Sequence, residues 1–254
     1  MKTMINHMRN LGLLIVALAI SNVSSCAGTD VGNPTMTNLQ FSSYSTQSTA
    51  LKLNTGVTIE EVWLVLSLAE LRQAELCNAM GDEQYLGPFI VEVVSGREYP
   101  TPILTSIHRS FCQMRLDFVA LGAADQTADI PRELVGNTVF VKGTRGDGQP
   151  FTLSFAAQDQ DLQFQALGAD FRLSDDEHNL FVGFDATTWF PDAMSIERLN
   201  TTPVDELAIT METNIDLVSQ FEFNFKHSAG LFDDVDDDAI LNEFEILRPI
   251  AVVK

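Results

Sequence analysis

The sequence is short of positive charge, of cysteine and of long hydrophobic segments. It has 15 Lys and Arg against 35 Asp and Glu, a formal net charge of −20 at pH 7. A surface this acidic repels phosphate backbones, so nucleic acid is excluded as an expected partner. The early apolar run at residues 11–20 is shorter than the roughly 20 residues that a membrane-spanning helix needs.

Familiar catalytic motifs are also missing. There is no GxSxG, no HExxH and no GxxxxGK[ST] anywhere in the chain. We therefore predict no catalytic residue and expect a protein that is not an enzyme. The histidines are too scattered to suggest a site: His7, His108, His178 and His227.

Two further features allow a binding interpretation. An RGD triplet at residues 145–147 lies at the tip of a predicted hairpin, where a receptor could reach it, although turn chemistry alone explains the glycine and the aspartate. Trp63 and Trp189 could stack on a sugar if they were exposed, but their apolar neighbours favour burial.

The N-terminus has the features of an export signal. Residues 1–25 begin with Lys2 and Arg9 and continue into the apolar run. The residues VSS directly before Cys26 resemble the lipobox of bacterial lipoproteins, although Val23 stands where Leu is usual. The resemblance implies lipidation of Cys26, and Ala27 behind it implies the outer membrane. The alternative is an ordinary signal peptide followed by a chance cysteine.

Cys77 and Cys112 are the other two cysteines. In an exported chain an isolated pair favours a disulfide, because a zinc site needs about four ligands and no CxxC or HxxxH accompanies them. We therefore predict a bridge between Cys77 and Cys112.

The mature chain divides into three parts by composition. Residues 26–50 are rich in Ser, Thr, Asn and Gly and predict a flexible tether. Residues 51–200 contain alternating apolar segments, such as FCQMRLDF and the two arms around GDG, at the short spacing of an antiparallel β-sandwich of about seven or eight strands. Residues 201–254 predict a C-terminal helix-loop-helix.

The last part combines a helical stripe with an acidic stretch. Leu217, Phe221 and Phe225 are four apart, which is helical spacing, and Asn214 is a candidate N-cap. Seven carboxylates then follow within residues 233–245. Either a cation holds this charge together or the stretch is a solvated acidic loop.

The spacing in the acidic stretch matches an EF-hand loop. Calcium takes about six to eight oxygens, and alternate residues of a tight loop can deliver them. Ala239 departs from the pattern, because it stands at position 6 where a glycine with positive φ is usual. Counted from position 1, the predicted ligands at positions 1, 3, 5, 7, 9 and 12 are Asp234, Asp236, Asp238, Ile240, Asn242 and Glu245.

Taken together, CAGTDVGNP at residues 26–34, the strand segments and the acidic loop resemble bacterial lipoproteins of the CxGTxVGNP type. The resemblance implies a membrane-anchored lipoprotein of the cell envelope. Its expected function is non-enzymatic surface binding, adhesion or assembly, with calcium as the expected cofactor and an unknown protein or glycan ligand as the partner. The alternative is a glycan-active enzyme or carbohydrate-binding module whose site forms only in the fold.

Overall fold

The computed structural model describes residues 34–44, 51–53, 56–77, 83–107, 110–157, 161–173, 178–190, 199 and 207–254. The protein is mainly β, as predicted, and the described residues form a 14-stranded sheet. In chain order the strands are β1 (Thr35–Tyr44), β2 (Thr58–Gln73), β3 (Glu83–Glu92), β4 (Arg97–Tyr99), β5 (Ile103–Ser106), β6 (Ser110–Phe118), β7 (Val139–Thr144), β8 (Pro150–Phe155), β9 (Asp161–Ala166), β10 (Phe171–Arg172), β11 (His178–Asp185), β12 (Leu207–Ile209), β13 (Ala229–Asp233) and β14 (Ala251–Val253).

Strand β2 explains why the strands form one sheet instead of two. It has 16 residues, a length of roughly 50 Å. On one edge its first half pairs with β7 and its second half with β6, while β3 pairs along the other edge. A register shift between Leu66 and Leu68 marks a bulge, which bends a strand. The predicted sandwich of seven or eight strands is therefore wrong, because β2 pairs with both β7 and β6 and so joins their strands into one sheet.

From β2 the sheet continues in the order β6-β9-β14-β13-β11-β1-β5 and curls back toward its start. The return is visible in hydrogen bonds between β5 and β3. The Tyr85 hydroxyl donates to the Thr105 carbonyl at 2.9 Å, and the Ser106 hydroxyl to Glu83 Oε1 at 2.8 Å. The curl encloses one large core, lined on β6 by the predicted row Cys112, Met114, Leu116 and Phe118.

Helix α1 (Ile215–His227) packs on this core and confirms the predicted helical stripe. Leu217, Phe221 and Phe225 are buried, and Phe225 stacks on Phe184 of β11 with ring centroids 4.6 Å apart. Asn214 is the N-cap residue, as predicted, but its side chain makes no capping hydrogen bond. No described helix is long and apolar enough to cross a membrane.

The predicted helix-loop-helix is wrong. Helix α1 ends at His227, and the chain enters the acidic stretch through strand β13, which pairs with β11 and β14. The second helix, α2 (Glu243–Ile246), has only four residues. The apolar segment AGLF, which begins at Ala229, pairs with a strand on each edge. This pairing outweighs the helical periodicity of the residues before it.

The predicted tether at residues 26–50 also differs from the structure where it is described. Strand β1 lies inside this range and pairs with β11 in parallel and with β5 antiparallel. Leu39 and Phe41 are buried in the core. Burial of two large apolar side chains outweighs the polar composition that indicated a flexible segment. The predicted signal peptide, Cys26 and the rest of the predicted tether lie outside the described residues.

Cys77 and Cys112 are joined in the structure, with their Cα atoms 6.1 Å apart. A disulfide requires a Cα separation below about 7 Å. The geometry is therefore compatible with the predicted bridge, which ties the segment after β2 to the core row of β6.

This bridge gives a first prediction. Replacing both cysteines by serine should lower the free energy of unfolding by about 3 to 4 kcal/mol, because the bridge closes a loop of 35 residues and limits the unfolded chain. Chemical denaturation of the variant and the parent protein measures the difference. Peptide mapping of the unreduced protein should show Cys77 linked to Cys112, and free thiols at both positions would contradict the pairing.

Candidate metal centre

The acidic loop, residues 234–245, lies between β13 and α2. Its first residue, Asp234, is completely buried at the end of β13. Asn179 of β11 holds it there from two directions. The Asn179 side-chain amide donates to Asp234 Oδ2 at 2.8 Å, and the Asp234 N–H donates to the Asn179 carbonyl at 3.3 Å.

Asp234 also organises the turn that follows it. Its Oδ1 accepts the N–H of Asp238 at 3.3 Å, and its Oδ2 accepts the N–H of Ala239 at 3.0 Å. The chain can reach both donors only by turning tightly, and Asp237 and Ala239 take φ values of 56° and 58°. Ala239 therefore adopts the left-handed conformation that the sequence assigned to loop position 6. L-residues other than Gly, Asn and Asp disfavour this conformation.

Glu245 closes the loop from its other end. It is 3% exposed and belongs to a capping box in which the Asn242 side chain caps α2. Glu245 Oε2 accepts the N–H of Asn242 at 2.9 Å, and its Oε1 accepts the N–H of Val235 at 2.8 Å. The second bond reaches across the loop and holds its two ends together.

Three of the predicted ligands meet in this arrangement. Asp234, Asp236 and Glu245 each place one carboxylate oxygen within 4.8 Å of the others. Two oxygens on one calcium ion, each about 2.3 to 2.6 Å from it, can be at most about 5 Å apart. The three carboxylates therefore fit a shared calcium ion.

The other predicted ligands are less well placed. Asp238 is not part of this group, and its Oδ1 accepts the N–H of Ile240 at 2.8 Å. Asn242 Oδ1 accepts the N–H groups of Phe244 and Glu245, while its amide lies 3.4 Å from Asp236 Oδ2. The Asn242 oxygen is thus engaged in capping α2.

Two residues of β11 that hold the loop were not predicted from the sequence. Besides Asn179, His178 places its Nε2 against Asp233 Oδ1 and its Nδ1 3.3 Å from Asp237 Oδ1. The hydrogen bond with Asp233 raises the pKa of His178 above its ordinary value of 6.5, against the opposing effect of burial. Both residues precede the loop by about 55 positions, so no local pattern could reveal them.

The remaining candidate binding residues are not available at the surface. Trp63 and Trp189 are fully buried, so neither presents a face to a sugar. Arg145 is 2% exposed and donates to the Leu199 carbonyl at 2.9 Å. The RGD triplet is therefore not an exposed recognition motif.

Comparisons with protein-family models, with curated proteins and with solved structures found no match. Function must therefore be inferred from the chemistry of the site.

The strained turn gives a second prediction. Ala239→Gly should stabilise the fold by up to about 1 kcal/mol without any metal, because glycine adopts positive φ at no steric cost. Thermal unfolding in the presence of a chelator measures this effect. Ala208→Gly in β12, where φ is not positive, is the matched control and should destabilise. Equal losses of stability in both variants would contradict the assigned strain.

Proposed function

We propose that the chain is a membrane-anchored extracytoplasmic lipoprotein of the bacterial outer membrane, a non-enzymatic surface binding, adhesion or assembly module with one calcium-binding loop. The observation that carries the calcium part is the meeting of Asp234, Asp236 and Glu245 within 4.8 Å. The anchor part is supported by Cys26 and the residues before it.

The electrostatics of the loop favour a divalent cation. Asp234 and Glu245 are both buried and lie in the same group of carboxylates. Two like charges at this separation repel by on the order of 3 kcal/mol at an effective dielectric of 20. Backbone N–H groups offset part of this repulsion. A cation bound among the three carboxylates would neutralise the repulsion that remains.

The donor chemistry suits a hard divalent cation such as calcium. All three grouped residues offer hard carboxylate oxygens, and no described histidine or cysteine belongs to the group. Each of the three residues supplies one carboxylate oxygen, and carbonyl oxygens or water would complete a shell of six to eight. In the EF-hand order, the Ile240 carbonyl and the Asp238 side chain are the other ligands before Asn242.

Little supports the glycan-active alternative. Its aromatic platform is missing, because both tryptophans are buried. A glycosidase needs two carboxylates about 5 to 10 Å apart across the substrate. The cavity of about 470 Å³ next to the loop has a single carboxylate, Glu98, in its lining.

The calcium proposal gives the third prediction. Calcium titrated into the protein should give a saturable heat change with one ion bound, and should raise the unfolding free energy by about 2.7 kcal/mol at a hundredfold excess over Kd. Glu245→Gln should weaken binding by at least about tenfold, because it removes charge from the closing ligand. Isothermal titration calorimetry and thermal unfolding measure both effects.

Glu243→Gln is the matched control. Glu243 is exposed, lies two residues before Glu245 and does not belong to the carboxylate group. Binding in this variant should stay close to that of the parent protein. If both variants lose affinity equally, diffuse negative charge holds the ion. If the parent protein shows neither a saturable heat change nor a rise in melting temperature with calcium, the stretch is a solvated acidic loop that binds no calcium.

The anchor gives the fourth prediction. Cys26→Ala should abolish acylation and move the protein from the membrane fraction to the soluble fraction, because the acyl chains contribute about 0.8 kcal/mol per buried methylene. Fractionation and mass spectrometry of the mature N-terminus measure the change. Cys77→Ser, which leaves Cys26 in place, should keep the protein in the membrane fraction. Retention of the Cys26→Ala variant would contradict the proposed anchor.

A further inference from the structure

A cavity of about 470 Å³ lies between β1, the turn after β3 and the acidic loop. This volume is within the range of sites that hold small molecules. Its walls come from four separate parts of the chain: Gln40 to Ser42, Val94 to Gly96 with Glu98 and Thr101, Phe181, and Ala239 to Leu241. The acidic loop therefore forms one wall of the cavity, next to the carboxylate group but separate from it.

Glu98 is the charged side chain in this lining. It stands at the centre of the short strand β4 (Arg97–Tyr99), where neighbouring side chains point to opposite faces. Arg97 and Tyr99 pack on Trp63, with the Arg97 guanidinium 5.1 Å from the centre of the Trp63 ring and the Tyr99 ring stacked on it. Glu98 points the other way, into the cavity.

The carboxyl group of Glu98 has polar partners but no counter-ion among the described residues. Its Oε1 accepts the N–H of Phe41 at 3.2 Å, and the Thr101 side chain also hydrogen-bonds to it. The nearest cation in sequence, Arg97, makes its ion pair with Glu92 at 3.8 Å. Burial raises the pKa of Glu98 to about 7, in keeping with a carboxyl group that has no neighbouring positive charge.

The rest of the lining suits a ligand with an apolar stem and a polar head. Val94, Ile240 and Leu241 are partly or fully exposed and give apolar surface, while Gln40, Ser42 and Ser95 bring side-chain hydrogen-bonding groups. A cationic head would supply the missing counter-ion at Glu98, and the excess of negative charge on the chain would draw it in.

We propose that this cavity binds an organic cation, a primary ammonium or guanidinium group on a short apolar stem, with the Glu98 carboxylate as its counter-ion. The cation can come from a free amine or from a Lys or Arg side chain of a partner polypeptide. The carboxylate group of Asp234, Asp236 and Glu245 does not line the cavity, so the organic cation binds apart from it.

The test uses the full chain at a fixed calcium concentration and NMR titration of the backbone amides of Phe41 and Gly96. The probes are n-butylamine, for a free amine, and a blocked Ala-Lys-Ala peptide, for a side chain; n-butanol is the neutral control. Both amides should shift with at least one ammonium probe and saturate, and n-butanol should cause no saturable shift. The probe that binds more tightly identifies the source of the cation.

Two comparisons assign the binding to Glu98. Glu98→Gln keeps an oxygen that can accept the Phe41 N–H but removes the charge, and should weaken binding by about tenfold or more. Glu133→Gln removes one exposed charge outside the cavity lining and should leave binding unchanged. This control separates the counter-ion from the general attraction of an acidic chain.

A second measurement needs no substitution. Alkylammonium groups stay protonated below about pH 10, so the pH dependence of binding to the parent protein reports Glu98. Affinity should rise as the pH increases through the pKa of Glu98, because the carboxylate replaces the neutral acid. Equal affinity for n-butanol, unchanged binding in Glu98→Gln, a flat pH profile or no saturable shift at Phe41 and Gly96 would each overturn the proposal.

Discussion

The acidic loop depends on one constraint, the placement of a buried aspartate at the end of a central strand. Asp234 is held by Asn179 of β11 and accepts the N–H groups of Asp238 and Ala239. Glu245 links the two ends of the loop by accepting the N–H of Val235. Removing these bonds would leave two buried carboxylates close together without partners, which is costly in a protein interior. These hydrogen bonds therefore shape the loop without any metal ion.

The curled sheet makes this placement possible. Strand β13 lies between β11 and β14, so the residue after it leaves the sheet at a fixed position beside Asn179. The same curl brings β1 alongside β11 and the loop alongside Glu98. One arrangement of strands thus produces two neighbouring candidate sites, a group of three carboxylates and a cavity with a single, partly buried carboxyl.

Local pattern in the sequence predicted some elements well. The alternation of Cys112, Met114, Leu116 and Phe118 identified a half-buried strand, and the spacing of Phe221 and Phe225 identified α1. Both signals come from residues a few positions apart.

Elements that depend on distant pairing were missed. Strand β1 buries Thr35 and Thr37 in the same row as Leu39 and Phe41, so half of its buried positions carry polar residues and the segment resembles a tether. Strand β13 follows α1 directly, and only its pairing with β11 and β14 makes it a strand. For the candidate site, the spacing of the loop carboxylates was visible in the sequence. His178 and Asn179, which hold the start of the loop by hydrogen bonds, belong to another strand.

If Asp234, Asp236 and Glu245 share one calcium ion, anomalous diffraction from crystals grown with calcium will locate that ion independently of its effect on stability. We expect a single anomalous peak about 2.3 to 2.6 Å from oxygens of all three residues. An ordered loop with no anomalous peak between these carboxylates, in crystals that contain calcium, would rule out the shared site.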